Sequence, residues 1–417
     1  MAIAKLGLRE NAFQFWLLVL VNAFVGAMIG LERSVIPQFA EVNFGLNGNS
    51  ALLSFIVAFG LAKSGANLLM GKLTGRFTRK QILLLGWSFA LPVPWLLIYA
   101  PNWNWIIFAN LLLGINQGLA WSSTVVMKID LVGEKNRGLA MGINEFAGYL
   151  AVGLMAFLAG YLASEFGNVV TAFIPGILFS MAGLLISLLF IKDTYAHVQT
   201  ETLQTNIPLL QNVWKDTTWR HSNLGSVTLN GFVNNLNDGI LWGLLPVLLA
   251  SKGYTIKEIG MLAGIYPVVW GLGQLVTGKL GDLVCKKQLL SLGMVLQGLA
   301  ISGLLFSQSL PILITALVLL GAGTALVYPN FITLVAENTH PGQRPQSLGI
   351  FRFWRDFGYV AGAVLAGIIG DLFGLETVII GTALLTVGAG ILSEIRMCCT
   401  NKLLWRSEEC QKFTPAI

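Results

Sequence analysis

The sequence predicts an all-α polytopic membrane protein: twelve transmembrane helices in two pseudo-symmetric halves of six, with both termini cytoplasmic. Three observations carry this. Only 11% of the 417 residues are charged, 55% are hydrophobic and the mean hydropathy is +0.72. A soluble domain carries about a quarter of its residues charged, so this chain could not cover a water-facing surface. Apolar runs of about 20 residues, the length that crosses hydrocarbon, recur twelve times. Finally, the second half of the chain repeats the first.

The runs lie at about 13–37, 50–71, 81–100, 103–127, 138–163, 169–191, 222–250, 257–278, 288–308, 311–335, 346–371 and 375–397. Lys5 and Arg9 precede the first run, which continues to Pro37 without a small-residue cleavage site, so it reads as a helix and not as a signal peptide. One long polar stretch divides the runs six and six. The expected organisation is a half over 1–191, a linker over 192–221, a second half over 222–397 and a tail over 398–417. Lys72, Arg76, Arg79, Lys80, Lys135, Arg137, Lys279, Lys286, Lys287 and Arg344 fall in loops on the side of the linker and termini. The opposite loops hold few bases, chiefly Lys252 and Lys257, and positive charge marks the cytoplasmic side. The net charge of +6 therefore orients helices and does not point to nucleic acid. Cys285, Cys398, Cys399 and Cys410 fall on that same reducing side and are expected as free thiols. His197, His221 and His340 all lie outside the apolar runs, so no metal site and no cofactor are expected.

The repeat is ungapped. A shift of 207 positions carries Gly71 onto Gly278, Phe59 onto Tyr266, Lys63 onto Trp270, Asn67 onto Gln274 and Trp121 onto Tyr328. It also carries Asp130 onto Glu337, Arg137 onto Arg344 and Gly142 onto Gly349. Parallel structural repeats give such a register. The basic loop "GKLTGRFTRK" from Gly71 recurs as "GKLGDLVCKK" from Gly278. Twelve helices, a central linker and this loop between helices 2 and 3 resemble the major facilitator superfamily, whose loop motif reads G-x-L-x-D-R-x-G-R-K. Gly71, Leu73, Arg76, Arg79 and Lys80 match in the first copy, where Gly75 replaces the Asp and Thr78 the second Gly. Gly278, Leu280, Asp282, Lys286 and Lys287 match in the second, so only Asp282 can cap a neighbouring helix N-terminus.

Ionisable groups at membrane depth are costly and usually face a cavity. Helices 1, 2, 5, 7 and 11 carry Glu32 and Arg33, Lys63, Glu145, Asp238, and Arg352 with Arg355 and Asp356; helices 3, 6, 9 and 12 carry none away from their ends. The resemblance implies that those four are the outer, lipid-facing helices. Phe59, Lys63 and Asn67 share one helix face, as do Tyr266, Trp270 and Gln274. Helix 7 bears a polar stripe of Asn230, Asn234, Asn237 and Asp238, read as cavity lining in preference to helix–helix glue. Asn116 and Trp121 on helix 4 and Tyr328 on helix 10 complete the expected cavity wall.

The function expected is secondary active transport of a small organic solute, anionic or zwitterionic, by alternating access and coupled to protons. Glu32, Glu145, Asp238 and Asp356 are the carboxylates that burial could tune for this. Arg33 with Asp238 is the expected outer gate, and Lys63 with Asp356 or Glu145 the inner gate or anion site. No G-x-x-x-x-G-K-[ST] loop implies ATP. The alternatives are efflux of amphiphilic cations, although helix 5 lacks the antiporter proline, and a receptor or scaffold that has lost transport. An embedded enzyme would need a nucleophile and base together at depth, and none is seen. The partners expected are the solute, protons or another coupling ion, and the lipid of a plasma membrane (the inner membrane of a bacterium), with the protein a monomer.

Overall fold

A computed structural model describes residues 4–33, 35–45, 49–166, 168–254, 256–306 and 309–399. It is 84% helical, with no strand among the described residues. In chain order the helices are α1 (Ala12–Arg33), α2 (Ile36–Phe44), α3 (Asn49–Leu73), α4 (Arg79–Ala90), α5 (Val93–Ile98), α6 (Trp103–Asn116), α7 (Ser122–Val132), α8 (Arg137–Glu165) and α9 (Ile174–Leu189). There follow α10 (Tyr195–Gln204), α11 (Val213–Lys215), α12 (Ser222–Ser251), α13 (Ile256–Leu283), α14 (Lys286–Gly303), α15 (Leu310–Glu337), α16 (Arg344–Phe373) and α17 (Leu375–Arg396). Eight stretches among the described residues are long and apolar enough to cross a membrane. Helices α12, α13 and α16 are as long, at 30, 28 and 30 residues, but α12 and α16 carry charge in their middles.

Several runs break where local chemistry demands it. The first, expected to reach 37, ends at Arg33, and Pro37 instead takes the second position of α2, where its missing N–H costs nothing. The run 81–100 divides into α4 and α5 at Pro92, with Pro94 in the first turn of α5. The run 103–127 extends to Val132, and α6 passes into α7 through a π-turn at Gln117–Trp121. Within the polar stretch 192–221, α10 buries Val198, Thr200 and Glu201, so it is a docked element and not a loose linker. Cys285, the N-cap of α14, is joined to Cys399 by a disulfide, with Cα atoms 5.9 Å apart. This corrects the expectation of free thiols for Cys285 and Cys399, while Cys410 lies outside the described residues: α14 packs on α17, which brings the residue before one beside the residues after the other.

Two helix pairs carry most of the contacts between the early and late parts of the chain: α3 on α16, and α8 on α13. At the end of the bundle that holds α10, both pairs meet backbone to backbone through glycine. A Cβ on Gly278 would lie 2.6 Å from the Gly138 carbonyl, and one on Gly349 would lie 2.6 Å from that of Asn67. A Cβ on Gly71 would lie 2.8 Å from Gln346, and Gly142 is pressed against Gln274. The 207-residue shift exchanges these contacts, so the two seams are built alike.

The caps are not. Asp282 accepts hydrogen bonds from the backbone N–H of Gly138 (2.7 Å) and Leu139 (3.0 Å), closing the N-terminus of α8. The equivalent of Asp282 is Gly75, and the equivalent of Gly138 is Pro345, which has no N–H. The carboxylate is missing there with one of its two donors, while Gln346, the equivalent of Leu139, keeps its N–H. The loop bases divide likewise: Arg76 is exposed, whereas Arg79 is buried 3.4 Å from Asp130, and its equivalent Lys286 pairs with Glu337 at 2.7 Å. Overpacking a tight contact costs about 1–3 kcal/mol, so Gly278→Val should lower the thermal unfolding midpoint of the detergent-solubilised protein by several degrees. An unchanged midpoint would mean that the seam is slack.

Candidate functional site

Midway along the two seams lies a continuous chain of buried polar side chains. Asp356 of α16 is its anchor: Oδ1 accepts from Arg355 Nε (2.9 Å) and Nη2 (2.7 Å), and Oδ2 accepts from Asn67 Nδ2 of α3 (2.7 Å). Lys63 Nζ, one turn from Asn67, is 4.0 Å from the same carboxylate, and Asn235 Nδ2 of α12 is at 3.4 Å. Asn67 Oδ1 in turn accepts from Ser122 Oγ at 2.5 Å, and Ser122 accepts from Arg352 Nη1 at 3.0 Å. Arg352 Nη2 stands 3.8 Å from Glu145 Oε1 of α8, which also accepts from Asn144 Nδ2 (2.7 Å) and Trp121 Nε1 (3.3 Å). Burial in a low-dielectric interior makes every such bond matter, because the alternative is an unpaired charge.

An aromatic layer adjoins the charges. Tyr149, one turn beyond Glu145, meets Trp270 of α13 with ring centroids 4.3 Å apart, and its hydroxyl is 2.7 Å from that of Tyr328 on α15. Trp270 also packs on Tyr328 (5.0 Å) and stacks on Tyr266 (5.8 Å), and Trp121 reaches Tyr149 (5.7 Å). Arg355 lies over the Tyr328 ring at 5.4 Å, a cation–π distance that ties the two layers together. Pro329 helps to set this wall. It cannot donate to the Ala325 carbonyl, and Thr277 Oγ1 of α13 takes that acceptor instead.

The arrangement leaves hydrogen-bonding capacity unused. Among the described residues, Arg352 Nε and Nη2, Glu145 Oε2, Trp270 Nε1 and both side-chain polar atoms of Asn234 and Gln274 are buried without a hydrogen-bond partner.

Other expected site residues sit elsewhere. Asn116, at the end of α6, donates to the Gly86 carbonyl on α4, whereas Trp121 lies across the π-turn from it. Asn230 donates to Ser226 O and to Ser393 of α17, and Asn237 bonds Thr386 and Gln297. Those two are two turns apart on the face that meets α14 and α17, so that part of the stripe is helix–helix glue and not cavity lining. Asp238 accepts from the Tyr266 hydroxyl within its own helix pair, while the side chain of Arg33 lies outside the described residues. Glu32 is buried, and neither carboxylate oxygen has a hydrogen-bond partner among the described residues. Three participants were not read from the sequence. Tyr149 stands at i+4 from Glu145, a spacing that could have revealed it. Ser122 carries no charge to betray it. Lys128, buried with its Nζ 3.1 Å from the Leu18 carbonyl, lies one residue past the expected end of helix 4.

Long apolar helices packed around a buried, cross-braced seam of charge define a multi-pass membrane transporter, not an enzyme. The chain belongs to the Major Facilitator Superfamily, whose family model matches residues 15–221 and 227–406. It is 24% identical to the proton-coupled antiporter flippase LtaA of Staphylococcus saprophyticus, over 86% of this chain and 88% of that one. It is 21% identical to the multi-drug resistance efflux pump PmrA homolog of Lactococcus lactis, over 91% and 93%. Among solved structures, the human organic anion transporter MFSD10 superposes with a TM-score of 0.71 at 16% identity, over 92% of this chain and 99% of that one. The proton:xylose symporter XylE superposes at 0.72 and 15%, over 91% and 95%. These structures share the fold, and the plasma membrane is the setting that the family implies.

Lys63 is the charge whose removal should matter most. Lys63→Ala should lower transport by about tenfold or more, since a buried carboxylate is left short of counter-charge. Combining Lys63→Asp with Asp356→Lys should recover part of the loss. Uptake into cells matched for expression reads both, and wild-type uptake by Lys63→Ala would remove Lys63 from the mechanism.

Proposed function

We propose that the protein is a secondary active transporter that carries a small organic anion or zwitterion across the plasma membrane by alternating access, coupled to protons. In this reading twelve helices span the bilayer with both termini cytoplasmic. The halves 1–191 and 222–397 rock about the seams α3–α16 and α8–α13, and the cytoplasmic end is the one closed by glycine contacts.

The observation that carries the substrate class is the imbalance of buried charge. Around the seam, Lys63, Arg352 and Arg355 lie with Glu145 and Asp356, three bases to two acids among the described residues. An anion would neutralise the excess and occupy the unused donors of Arg352 and Trp270. Glu145 is the coupling carboxylate. It is buried, only one of its oxygens is hydrogen-bonded, and its ionic partner Arg352 is 3.8 Å away, too far for a tight pair. Protonating Glu145 would free Arg352 for substrate, which links the two fluxes. Glu32, buried beside Asn110, is a second candidate for carrying a proton. Lys63 with Asp356 acts as inner gate or anion site, and Arg33 with Asp238 as outer gate.

A second reading, export of amphiphilic cations, is favoured by the aromatic layer of Tyr149, Trp270, Tyr328 and Tyr266 and by the multidrug pumps among the relatives. Sealed vesicles containing the purified protein separate the two: organic anions or organic cations should drive a proton flux, but not both. In the same vesicles Glu145→Gln should abolish the pH dependence of uptake while leaving substrate exchange in place. Undiminished pH dependence would move coupling to another carboxylate.

A further inference from the structure

We propose that Cys285 and Cys399 are a redox modification site: the pair is open while the cytoplasm is reducing, oxidation closes it, and the closed bond fixes the turn that carries Asp282. This rests on the cytoplasmic placement of that end in the reading above. Disulfides are rare on a reducing side, and those that form there are mostly transient, so a bond in that place is a conditional one. The Cα atoms are 5.9 Å apart, a separation at which the bond closes without moving the backbone.

The position of Cys285 has given up a helix cap to hold a sulfur. Its equivalent in the first copy of the repeat is Thr78. The Thr78 hydroxyl accepts from Gln81 N (3.2 Å) and Gln81 Oε1 accepts from Thr78 N (2.9 Å), a complete capping box for α4. In the second copy the glutamine persists as Gln288, but Cys285 makes no side-chain bond to α14. Gln288 Oε1 is left buried without a hydrogen-bond partner among the described residues. A threonine would serve α14 better; what the thiol reaches instead is Cys399.

That partner is held in place. Met397 is buried, Cys398 N donates to Asn223 Oδ1 of α12 (2.9 Å), and Asn223 donates to Asn338 at the end of α15 (2.9 Å). Cys399 is half-buried, whereas Cys285 is 2% exposed, which sets the order of reaction. The Cys399 thiolate attacks one sulfur of a small disulfide, such as oxidised glutathione, and expels one thiolate. The Cys285 thiolate, at the partly positive N-terminus of α14, then attacks the Cys399 sulfur and expels the second. The two cysteine sulfurs lose two electrons. The small disulfide gains them and leaves as two thiols, carrying the two cysteine protons. Excess reduced glutathione reverses both steps.

Only Leu283 and Val284 separate Cys285 from Asp282, whose carboxylate accepts from Gly138 and Leu139 of α8. In the reduced protein this corner is tied to α17 by Lys287 with Glu394 at 3.0 Å, a half-exposed pair of little strength. The disulfide adds a covalent tie there and closes a loop of 114 residues.

The full-length protein in lipid vesicles, equilibrated with reduced and oxidised glutathione and then alkylated, tests this by mass spectrometry. Cys285 and Cys399 should pass together from alkylated to linked between the glutathione ratios of a resting and an oxidatively stressed cytoplasm. In the linked protein, amide hydrogen exchange over 138–139 and 282–289 should slow by roughly tenfold, and 93–98 should keep its rate. Cys285→Ser and Cys399→Ser should each abolish the response, and either serves alone if the other does not fold. A pair that stays linked at the resting ratio is a permanent brace, which overturns the switch. So does exchange at 138–139 that ignores the oxidation state. In intact cells, an impermeant maleimide that labels either cysteine from outside would overturn the cytoplasmic placement and the switch with it. Protection from that reagent, with no linkage under a permeant thiol oxidant, rejects the switch alone.

Discussion

Asp356 takes two hydrogen bonds from Arg355 and one from Asn67 on the facing helix, with Lys63 4.0 Å away. An ionised carboxylate in a low-dielectric interior survives only with such company. Its needs fix the rest of the seam. Asn67 must present its amide nitrogen to Asp356, which turns its oxygen to Ser122, which in turn orients Arg352 toward Glu145. Each group is held by the one before it, from α16 through α3 and α7 and back to α16. A change at Asp356 is therefore felt at Glu145, several side chains away, with no need for a backbone shift.

The repeat explains why the scaffold for this network is so even. Glycine-to-backbone contacts, the Arg79–Asp130 and Lys286–Glu337 pairs, and the Asn67 and Gln274 positions all recur under one shift. The copies differ at Lys63, which answers to Trp270: the α3–α16 seam carries a base where the α8–α13 seam carries an aromatic ring.

Much of this was legible in the chain. Apolar runs marked the long helices, and the family loops stood out because bases are scarce. Counting rise per residue put Lys63 and Asp356 at one depth, and they do lie together. What was not legible depends on which neighbour a helix face meets. Asn116 and Asn230 have the polarity of cavity residues, yet they bond Gly86 and Ser393 on adjoining helices. The π-turn at Gln117–Trp121 changes which face Trp121 presents, and no residue type announces it. Glu201 was invisible for the opposite reason: an acid in a polar stretch is ordinary until Arg137 and Arg344 are seen donating to it.

The Gly75 and Pro345 pair has an evolutionary corollary. On the other seam Asp282 takes two N–H groups, from Gly138 and from Leu139. An aspartate at 75 would find no N–H at Pro345 and only that of Gln346, the equivalent of Leu139. One substitution therefore returns at most half of the cap, and two separate this sequence from an equal pair of seams.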